Sequence, residues 1–227
     1  MIIVGFDPGG IKQFGWCLTE TTSKDGRLQV LDCGLESHAS DAVDATLKHI
    51  PARCEIMAVG IDSPLYWTPN GSRNADKLIR REMRLRGASN VGGTVQEVNS
   101  LRGACLSQGI MTADLMRRHK PNVRITESHP KALLWLLGYA SPARKVIDIS
   151  IADLGDRVIG MSREPSDHER DAVLGAITAH AMVTGQKDWR NLRIDERDAY
   201  EPVSRVEYWM PIKACDVESF GKNNNQS

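Results

Sequence analysis

The sequence begins with MIIVGFDPGG (residues 1–10), in which a run of apolar residues leads to an aspartate and then to Pro-Gly-Gly. Such a run predicts a strand buried in a sheet, and Pro-Gly-Gly predicts that the strand ends in a turn. FGWCLTE (14–20) and RLQVLDCG (27–34) are two more strand-like stretches, separated by the polar turn TSKDG. Three successive strands joined by short turns indicate an antiparallel meander.

Beyond the meander, strand patterns alternate with helix patterns. IMAVGID (56–62) is typical of a strand buried on both faces, and NVRITES (122–128) predicts a fifth strand. Helices are predicted over residues 40–50, 73–86, about 101–119, 130–138, 143–155 and 167–184. We therefore predict an α/β fold with a five-stranded mixed sheet, in which three antiparallel strands precede parallel strands and helices flank the sheet.

The length and composition indicate one globular domain. The chain has 227 residues, of which 41% are hydrophobic and 26% charged, enough for a sizeable core. We expect one domain over 1–220, with a basic helical insertion at about 66–120 and a disordered tail at 221–227. No apolar stretch approaches the roughly 20 residues that cross a bilayer. The five scattered cysteines, including Cys215, are typical of reduced thiols, so we expect a cytoplasmic protein without a membrane partner.

The charge is balanced, because Lys plus Arg and Asp plus Glu both number 29. This balance argues against a protein that coats nucleic acid nonspecifically, since such binding depends on an excess of basic residues. A local basic surface remains compatible with it. Within the predicted helix 73–86, basic residues recur on one side at Arg73, Lys77, Arg80 and Arg84. We predict that this stripe contacts substrate phosphates, and a solvated helix face is the alternative.

Acidic residues stand at the ends of the predicted strands. Asp7 ends the first strand, Asp62 ends the fourth, and Glu127 lies near the end of the fifth. A carboxylate that follows a buried apolar run is costly unless it is paired or binds a cation. Ligand sites in α/β sheets usually lie at the carboxyl ends of the strands. The three acids therefore predict a convergent acidic pocket.

The last predicted helix, 167–184, supplies the remaining candidates. Ser166 and Glu169 fit the capping box that marks a helix start. Asp167 and Asp171 share a helix face at i and i+4, and His168 lies beside Asp171 at i+3. After this polar first turn the helix becomes apolar and alanine-rich, as expected of a helix that packs closely on a sheet. His168 is a candidate for proton transfer or metal binding, or a surface histidine.

Oxygen ligands of this kind suit Mg²⁺, and Mn²⁺ can replace it. Two such ions can activate a water and stabilise the leaving oxygen of a phosphodiester. Glu127 is a further ligand or a base, or it pairs with a nearby arginine. Asp167 has the alternative role of a helix-dipole partner, and Asp62 that of a turn residue. The predicted metal ligands are Asp7, Asp62, Asp167 and Asp171.

Several motifs together resemble a family of uncharacterised proteins described as predicted nucleases of the ribonuclease H fold. They are GFDPGG with the following Gly15 and Trp16, VGIDSPL (59–65), GSRNADKLIR (71–80), ESHPKALLWLLG (127–138) and DHERDAVLGAITAHA (167–181). The resemblance implies the five-stranded sheet that this superfamily shares with Holliday-junction resolvases. It also implies that Asp7, Asp62 and Asp171 hold two metal ions.

The same resemblance bears on further residues. His168 with Asp171 is similar to the helix pattern of the resolvases. Glu127 matches the Glu-x-His-Pro motif of the family, whose histidine, His129, is an additional candidate for substrate binding. Arg73, together with Asp76, matches the Gly-x-Arg-x-x-Asp motif of the family.

Together these observations predict a divalent-metal nuclease that acts on DNA or RNA by a two-metal carboxylate mechanism. One alternative is an ATPase or phosphotransferase, because the turn after the first strand also suits nucleotide phosphates, although no G-x-x-x-x-G-K-[ST] loop is present. The other is a non-catalytic binding module for nucleic acid or protein on the same fold, against which the full acidic set argues. The sequence distinguishes neither DNA from RNA nor one oligomeric state from another.

Overall fold

The computed structural model describes residues 1–22, 26–52, 54–68, 73–96, 103–196 and 199–212, so Cys215 and the predicted tail 221–227 lie outside these ranges. In chain order the strands are β1 Ile2–Asp7, β2 Phe14–Thr21, β3 Leu28–Glu36, β4 Ile56–Ile61, β5 Arg124–Glu127, β6 Val158–Ile159, β7 Arg190–Asn191 and β8 Val206–Met210. They form one eight-stranded mixed sheet in the order β6-β3-β2-β1-β4-β5-β8-β7. The pairs β1–β2 and β2–β3 are antiparallel, and β1–β4 and β4–β5 are parallel.

The α/β class and the order of strand types are confirmed, but the predicted count of five strands is wrong. β6 and β7 have only two residues each, too few to produce a periodic signal. β8 does alternate, since Val206, Tyr208 and Met210 are buried between half-buried neighbours. Its surroundings of charged residues and prolines hide this short alternation in the sequence.

The α-helices are α1 Ala39–Lys48, α2 Asn74–Leu85, α3 Val91–Thr94, α4 Gly103–His119, α5 Pro130–Leu136 and α6 Asp167–Thr184. The predicted helix over 143–155 is wrong, because this segment forms two short 3₁₀ helices at 146–148 and 151–154. Asp148 accepts a hydrogen bond from the Lys145 backbone, and Asp153 accepts one from the Ser150 backbone. These local side-chain bonds favour separate turns over a continuous helix.

The helix α6 lies on the central strands with its backbone almost touching theirs. A Cβ atom on Gly5, Gly15 or Gly60 would come within 1.7, 2.2 and 2.0 Å, respectively, of a backbone oxygen of α6. Only glycine allows this approach, because any side chain would push the helix away from the sheet. α6 begins with the predicted capping box, in which Ser166 and Glu169 each accept a hydrogen bond from the other's backbone N–H. Its first turn is therefore held at the carboxyl ends of β1 and β4.

The segment between β4 and β5 carries α2, α3 and α4, in the region where the sequence predicts an insertion. α4 packs on α1, and α1 packs on β2 and β3. The buried apolar side chains of the sheet and helices form one continuous hydrophobic core. None of the helices within the described ranges is both long and apolar enough to cross a membrane.

Candidate active site

Asp7 and Asp62 lie side by side at the carboxyl ends of two adjacent strands. Gly5 and Gly60 are register partners on the parallel strands β1 and β4, and both face α6. Because side chains two residues apart on a strand share a face, Asp7 and Asp62 also project toward α6. The backbone N–H of Asp62 donates a 2.9 Å hydrogen bond to the Phe6 carbonyl, which continues the pairing of the two strands.

The first turn of α6 completes this group. Nδ1 of His168 lies 2.6 Å from Oδ2 of Asp7. Asp171, one turn further along, is only 5% exposed. Its carboxylate accepts hydrogen bonds from Arg170 at 3.1 and 3.2 Å. Three aspartates from three distant parts of the chain (Asp7, Asp62 and Asp171) are thus brought together, and we call them the carboxylate cluster.

The electrostatics of the carboxylate cluster are those of crowded acids, of which Asp7 and Asp171 are buried and Asp62 is partly exposed. Burial, followed by the charge of Asp7, raises the pKa of Asp171 to about 6. Burial raises the pKa of Asp62 well above its usual range, and Asp7 and Asp171 both add to this rise. Burial also raises the pKa of Asp7, although its hydrogen bond with His168 acts in the opposite direction. The nearby positive side chains do not offset the burial and mutual repulsion of the three carboxylates, because all three pKa values remain raised. The cluster is therefore suited to a divalent cation.

The histidine on α6 is tuned by the carboxylate cluster. The hydrogen bond to Asp7 raises the pKa of His168, and the charges of Asp7 and Asp171 act in the same direction. The side chain is 38% exposed, so solvent and a ligand can reach the ring. Because Nδ1 is hydrogen-bonded to Asp7, Nε2 is the ring nitrogen that can bind a ligand or exchange a proton with water.

An open cleft of about 250 Å³ lies over Asp7 and Asp62. His129 lines it, 3.1 Å from Oε1 of Glu127 and 3.8 Å from Oδ1 of Asp62. Burial alone would lower the pKa of His129, but the hydrogen bond and charge of Glu127 outweigh it and raise the pKa. The other lining residues are Pro8, Ser63, Pro64, Gly93, Thr94, Gln96, Cys105, Leu106, Pro130 and Lys131.

Lys131 is a residue of this cleft that the sequence reasoning missed. It is exposed, and its charge lowers the pKa of Asp7, Asp62 and Asp171 alike. An ammonium that acts on all three acids also stands where it can contact a bound anion. Its signal in the sequence is its position directly after His129 and Pro130, in the first turn of α5.

Glu127 does not join the carboxylate cluster; it lies in a buried ion network with Arg73. Nη1 and Nη2 of Arg73 donate to the two Glu127 oxygens at 2.7 and 2.6 Å, and Nε and Nη2 donate to Asp76 at 2.8 and 2.7 Å. All three side chains are fully buried. Burial would raise the pKa of Glu127, but Arg73 and His129 lower it. Of the three roles considered for Glu127 (metal ligand, base and partner of an arginine), the observed geometry is that of a partner for an arginine.

Arg73 is also held from both sides by aromatic rings. Its guanidinium carbon lies 4.6 Å from the centroid of the Tyr66 ring and 5.4 Å from that of Tyr208. Asp76, Glu127 and His129 are the one set of three potential metal ligands within 4.8 Å of one another in the described part of the chain. The guanidinium donates two hydrogen bonds to each of Asp76 and Glu127, so their oxygens are already paired without a metal ion. The three aspartates of the carboxylate cluster do not form such a set.

The predicted basic stripe on α2 is not a continuous exposed surface. Arg73 is fully buried, and Arg80 is 8% exposed and donates to the Val95 carbonyl at 3.0 Å. Lys77 is half-buried, and Arg84 is exposed. The spacing correctly places Lys77, Arg80 and Arg84 along α2, whereas Arg73 is the extended residue that precedes the helix, and much of the helix packs into the protein. A phosphate can reach only Arg84 and, in part, Lys77.

Asp167 lies apart from the buried acids. Its side chain is 67% exposed and forms an ion pair with Arg170 at 3.2 Å. It adds to the rise in the pKa of His168, so it contributes negative charge near the site. Of the four aspartates predicted as metal ligands, Asp167 is the one at the rim.

A family model described as "Protein of unknown function (DUF429)" matches residues 5–191, more than half of the 227-residue chain. A search of the curated proteins returns no match, and neither does a search of the solved structures. The matched range includes the whole carboxylate cluster, His168, Lys131 and the buried ion network.

Proposed function

The chain belongs to the DUF429 family of proteins of unknown function, and we propose that it is a divalent-metal-dependent nuclease that hydrolyses phosphodiester bonds of nucleic acid. The carboxylate cluster carries this proposal. Asp7, Asp62 and Asp171 come from two strand ends and one helix, and each has a raised pKa in a shared site. Acids held this close together lower stability unless a cation offsets their charge, and this cost supports a bound cation.

Under this proposal Asp7, Asp62 and Asp171 hold Mg²⁺ or Mn²⁺, because both ions prefer carboxylate oxygens. Two ions about 3.5–4 Å apart, the usual separation in two-metal sites, would share the three acids. Ions bound there supply positive charge that activates a water and stabilises the oxygens of the phosphodiester. Asp7, next to both other acids, is the residue best placed to serve two ions.

The remaining residues of the site have roles that follow from their positions. Lys131 is exposed on the cleft wall and binds a non-bridging phosphate oxygen of the substrate. His168 is oriented by its bond to Asp7, and an imidazole in this position can give or accept a proton during the reaction. Glu127 and Arg73 act indirectly, by fixing His129 at the edge of the cleft.

The topology of the sheet supports a ribonuclease H-like fold as part of this proposal. The five inner strands, β3-β2-β1-β4-β5, combine an antiparallel meander with two parallel additions, as the motif resemblance implies. The strands β6, β8 and β7 extend that sheet at its two edges. We also propose a cytoplasmic location and a nucleic-acid partner, either DNA or RNA.

The proposal is tested with a panel of labelled nucleic acids: single-stranded and duplex DNA, single-stranded and duplex RNA, and branched DNA. Each is incubated with Mn²⁺, Mg²⁺ or EDTA. We expect metal-dependent cleavage of at least one substrate by the wild type, and none by Asp7→Asn or Asp171→Asn. Asp114→Asn is the matched control, because this aspartate is half-exposed in an ion pair with Arg118 on α4. Cleavage that survives Asp7→Asn would refute the assigned site.

Metal binding is measured separately as the rise in melting temperature with Mn²⁺. A non-catalytic binding module predicts no rise that depends on Asp7, whereas we expect a rise in the wild type that Asp7→Asn abolishes. An ATP hydrolysis assay addresses the phosphotransferase alternative. Metal-dependent release of phosphate from ATP, without cleavage of any nucleic acid, would favour that alternative.

A further inference from the structure

A second cavity lies at the other end of α6, far from the carboxylate cluster. α6 has 18 residues and is therefore about 27 Å long, with His168 in its first turn and His180 in its last two turns. This cavity has a volume of about 460 Å³, larger than the cleft over Asp7 and within the usual range of small-molecule sites. Its walls come from Thr21, Gly26, Arg27, Leu28, Asp156, Arg157, Ile177, His180, Thr184, Gly185, Gln186 and Lys187.

Three buried polar atoms on these walls have no hydrogen-bond partner within the described ranges. They are Oγ1 of Thr21, Nε of Arg157 and Nε2 of His180. Asp156 approaches Nε of Arg157 only to 3.7 Å, which is too long for a hydrogen bond. Most buried polar atoms in folded proteins are hydrogen-bonded, because an unpaired one costs free energy. The three atoms are themselves inaccessible to solvent, so they mark a polar wall, which suits a polar ligand, rather than direct ligand contacts.

The charge around the cavity indicates the sign of that ligand. Arg27, Arg157 and Lys187 bring three positive charges, and Asp156 brings one negative charge. Burial lowers the pKa of His180, so its ring is neutral at pH 7 and one of its nitrogens can donate a hydrogen bond. The cavity is therefore rich in donors and positive in a chain whose overall charge is zero.

We propose that this cavity binds a small phosphate-bearing anion, at a site separate from the carboxylate cluster. The guanidinium of Arg157, whose side chain is 24% exposed, and the ammonium of Lys187 contact the phosphate oxygens. A guanidinium and an ammonium are the side chains that bind phosphate most often. The volume accommodates a phosphate together with an attached sugar or nucleoside. This proposal does not depend on the nuclease activity.

The test measures binding to the full chain by isothermal titration calorimetry in EDTA, so that metal at the carboxylate cluster does not contribute. The probes are inorganic phosphate, ribose 5-phosphate, adenosine monophosphate and adenosine. We expect at least one of the three phosphate-bearing probes to bind, and adenosine not to bind. Comparison among those three probes identifies whether the phosphate alone, the sugar phosphate or the nucleotide is recognised.

Two variants test whether the phosphate-bearing probe binds in this cavity. We expect Lys187→Gln and Arg157→Gln each to weaken binding about tenfold, because each removes a charged donor to the phosphate. Lys187 is exposed, so its variant folds even if the half-buried Arg157 proves necessary for stability. Arg118→Gln, an exposed arginine on α4, is the matched control, and a loss of affinity in Lys131→Gln would place the binding in the cleft over the carboxylate cluster instead. No binding of any phosphate probe, equal binding of adenosine, or unchanged affinity in Lys187→Gln would each overturn the proposal.

Discussion

Asp171 is a buried carboxyl whose ionisation opposes folding. Its pKa rises from 3.8 to about 6 in the folded protein, chiefly through burial. Between these two values the folded protein binds more protons than the unfolded chain does, so stability falls as the pH rises. Above the folded pKa the loss is complete and constant. The metal-free protein is therefore less stable at neutral pH than it would be without this charge.

Replacing the charge should recover that stability. We expect Asp171→Asn to raise the free energy of unfolding of the metal-free protein at pH 7.5 by about 1–3 kcal/mol. The gain should shrink toward pH 4, where the wild-type carboxyl is protonated in the folded state. Urea unfolding in EDTA at the two pH values measures both effects, with Asp114→Asn as the control. A variant that is less stable than the wild type at pH 7.5 would contradict this account of the site.

The charge of Arg73, unlike that of Asp171, favours folding, because two buried carboxylates are paired with it. Lysine cannot reproduce the paired hydrogen bonds that the guanidinium makes to Glu127 and Asp76. We expect Arg73→Lys to lower the free energy of unfolding by about 2–4 kcal/mol. Lys77→Gln and Arg84→Gln, on the same helix but more exposed, should change it by less than about 0.5 kcal/mol.

Chemical denaturation of the three variants measures this difference. If Arg73→Lys were as stable as the wild type but failed to bind nucleic acid, the predicted phosphate contact would be correct and the structural role wrong. The comparison matters because the sequence alone places all three basic residues on one helix.

At the scale of elements, the approach of α6 to the sheet sets the geometry of the site. Gly15 faces the His168 carbonyl, so an added Cβ would lie 2.2 Å from that oxygen and the helix would have to move. We expect Gly15→Ala to lower stability by about 1–3 kcal/mol and to remove the stabilisation by Mn²⁺, since His168 and Asp171 shift with the helix.

The matched control is Gly10→Ala. A Cβ on Gly10 would meet nothing within 4 Å, and its backbone does not require glycine. Thermal unfolding of both variants with and without Mn²⁺ gives the readout. Wild-type metal stabilisation in Gly15→Ala would show that the position of α6 is less critical than its packing indicates.

At the scale of the whole molecule, zero net charge limits how the protein can bind nucleic acid. Each phosphate neutralised by a basic side chain contributes about −0.7 to −0.9 to the slope of log K against log salt concentration. With Lys131 as the main cation of the cleft, we expect a slope of about −1 to −2 for a labelled single strand.

Fluorescence anisotropy in EDTA, which prevents metal-dependent cleavage, measures this slope. Lys131→Gln should make it shallower by about 0.7 units, the contribution of one phosphate contact on a single strand. A slope that Lys131→Gln leaves unchanged would remove Lys131 from the proposed substrate path.

The sequence by itself determined the features that depend on short stretches of neighbouring residues. Runs of apolar residues predict β1 to β5, the capping box predicts the start of α6, and the aspartates after β1 and β4 stand out because they follow buried strands. One further local signal was available: a glycine two residues before Asp7 and another two residues before Asp62 mark the face that α6 covers.

Only the tertiary structure decided which charged residues pair and which stay free. Arg73 and Glu127 are 54 residues apart, and no local pattern indicates that they meet in the core. Likewise, β8 forms a strand because it pairs with the edge of β5. Lys131 is part of the cleft because β1, β4 and α5 converge there. Periodicity reports which side of a helix or strand a residue occupies. Burial and charge pairing depend on what packs against that side.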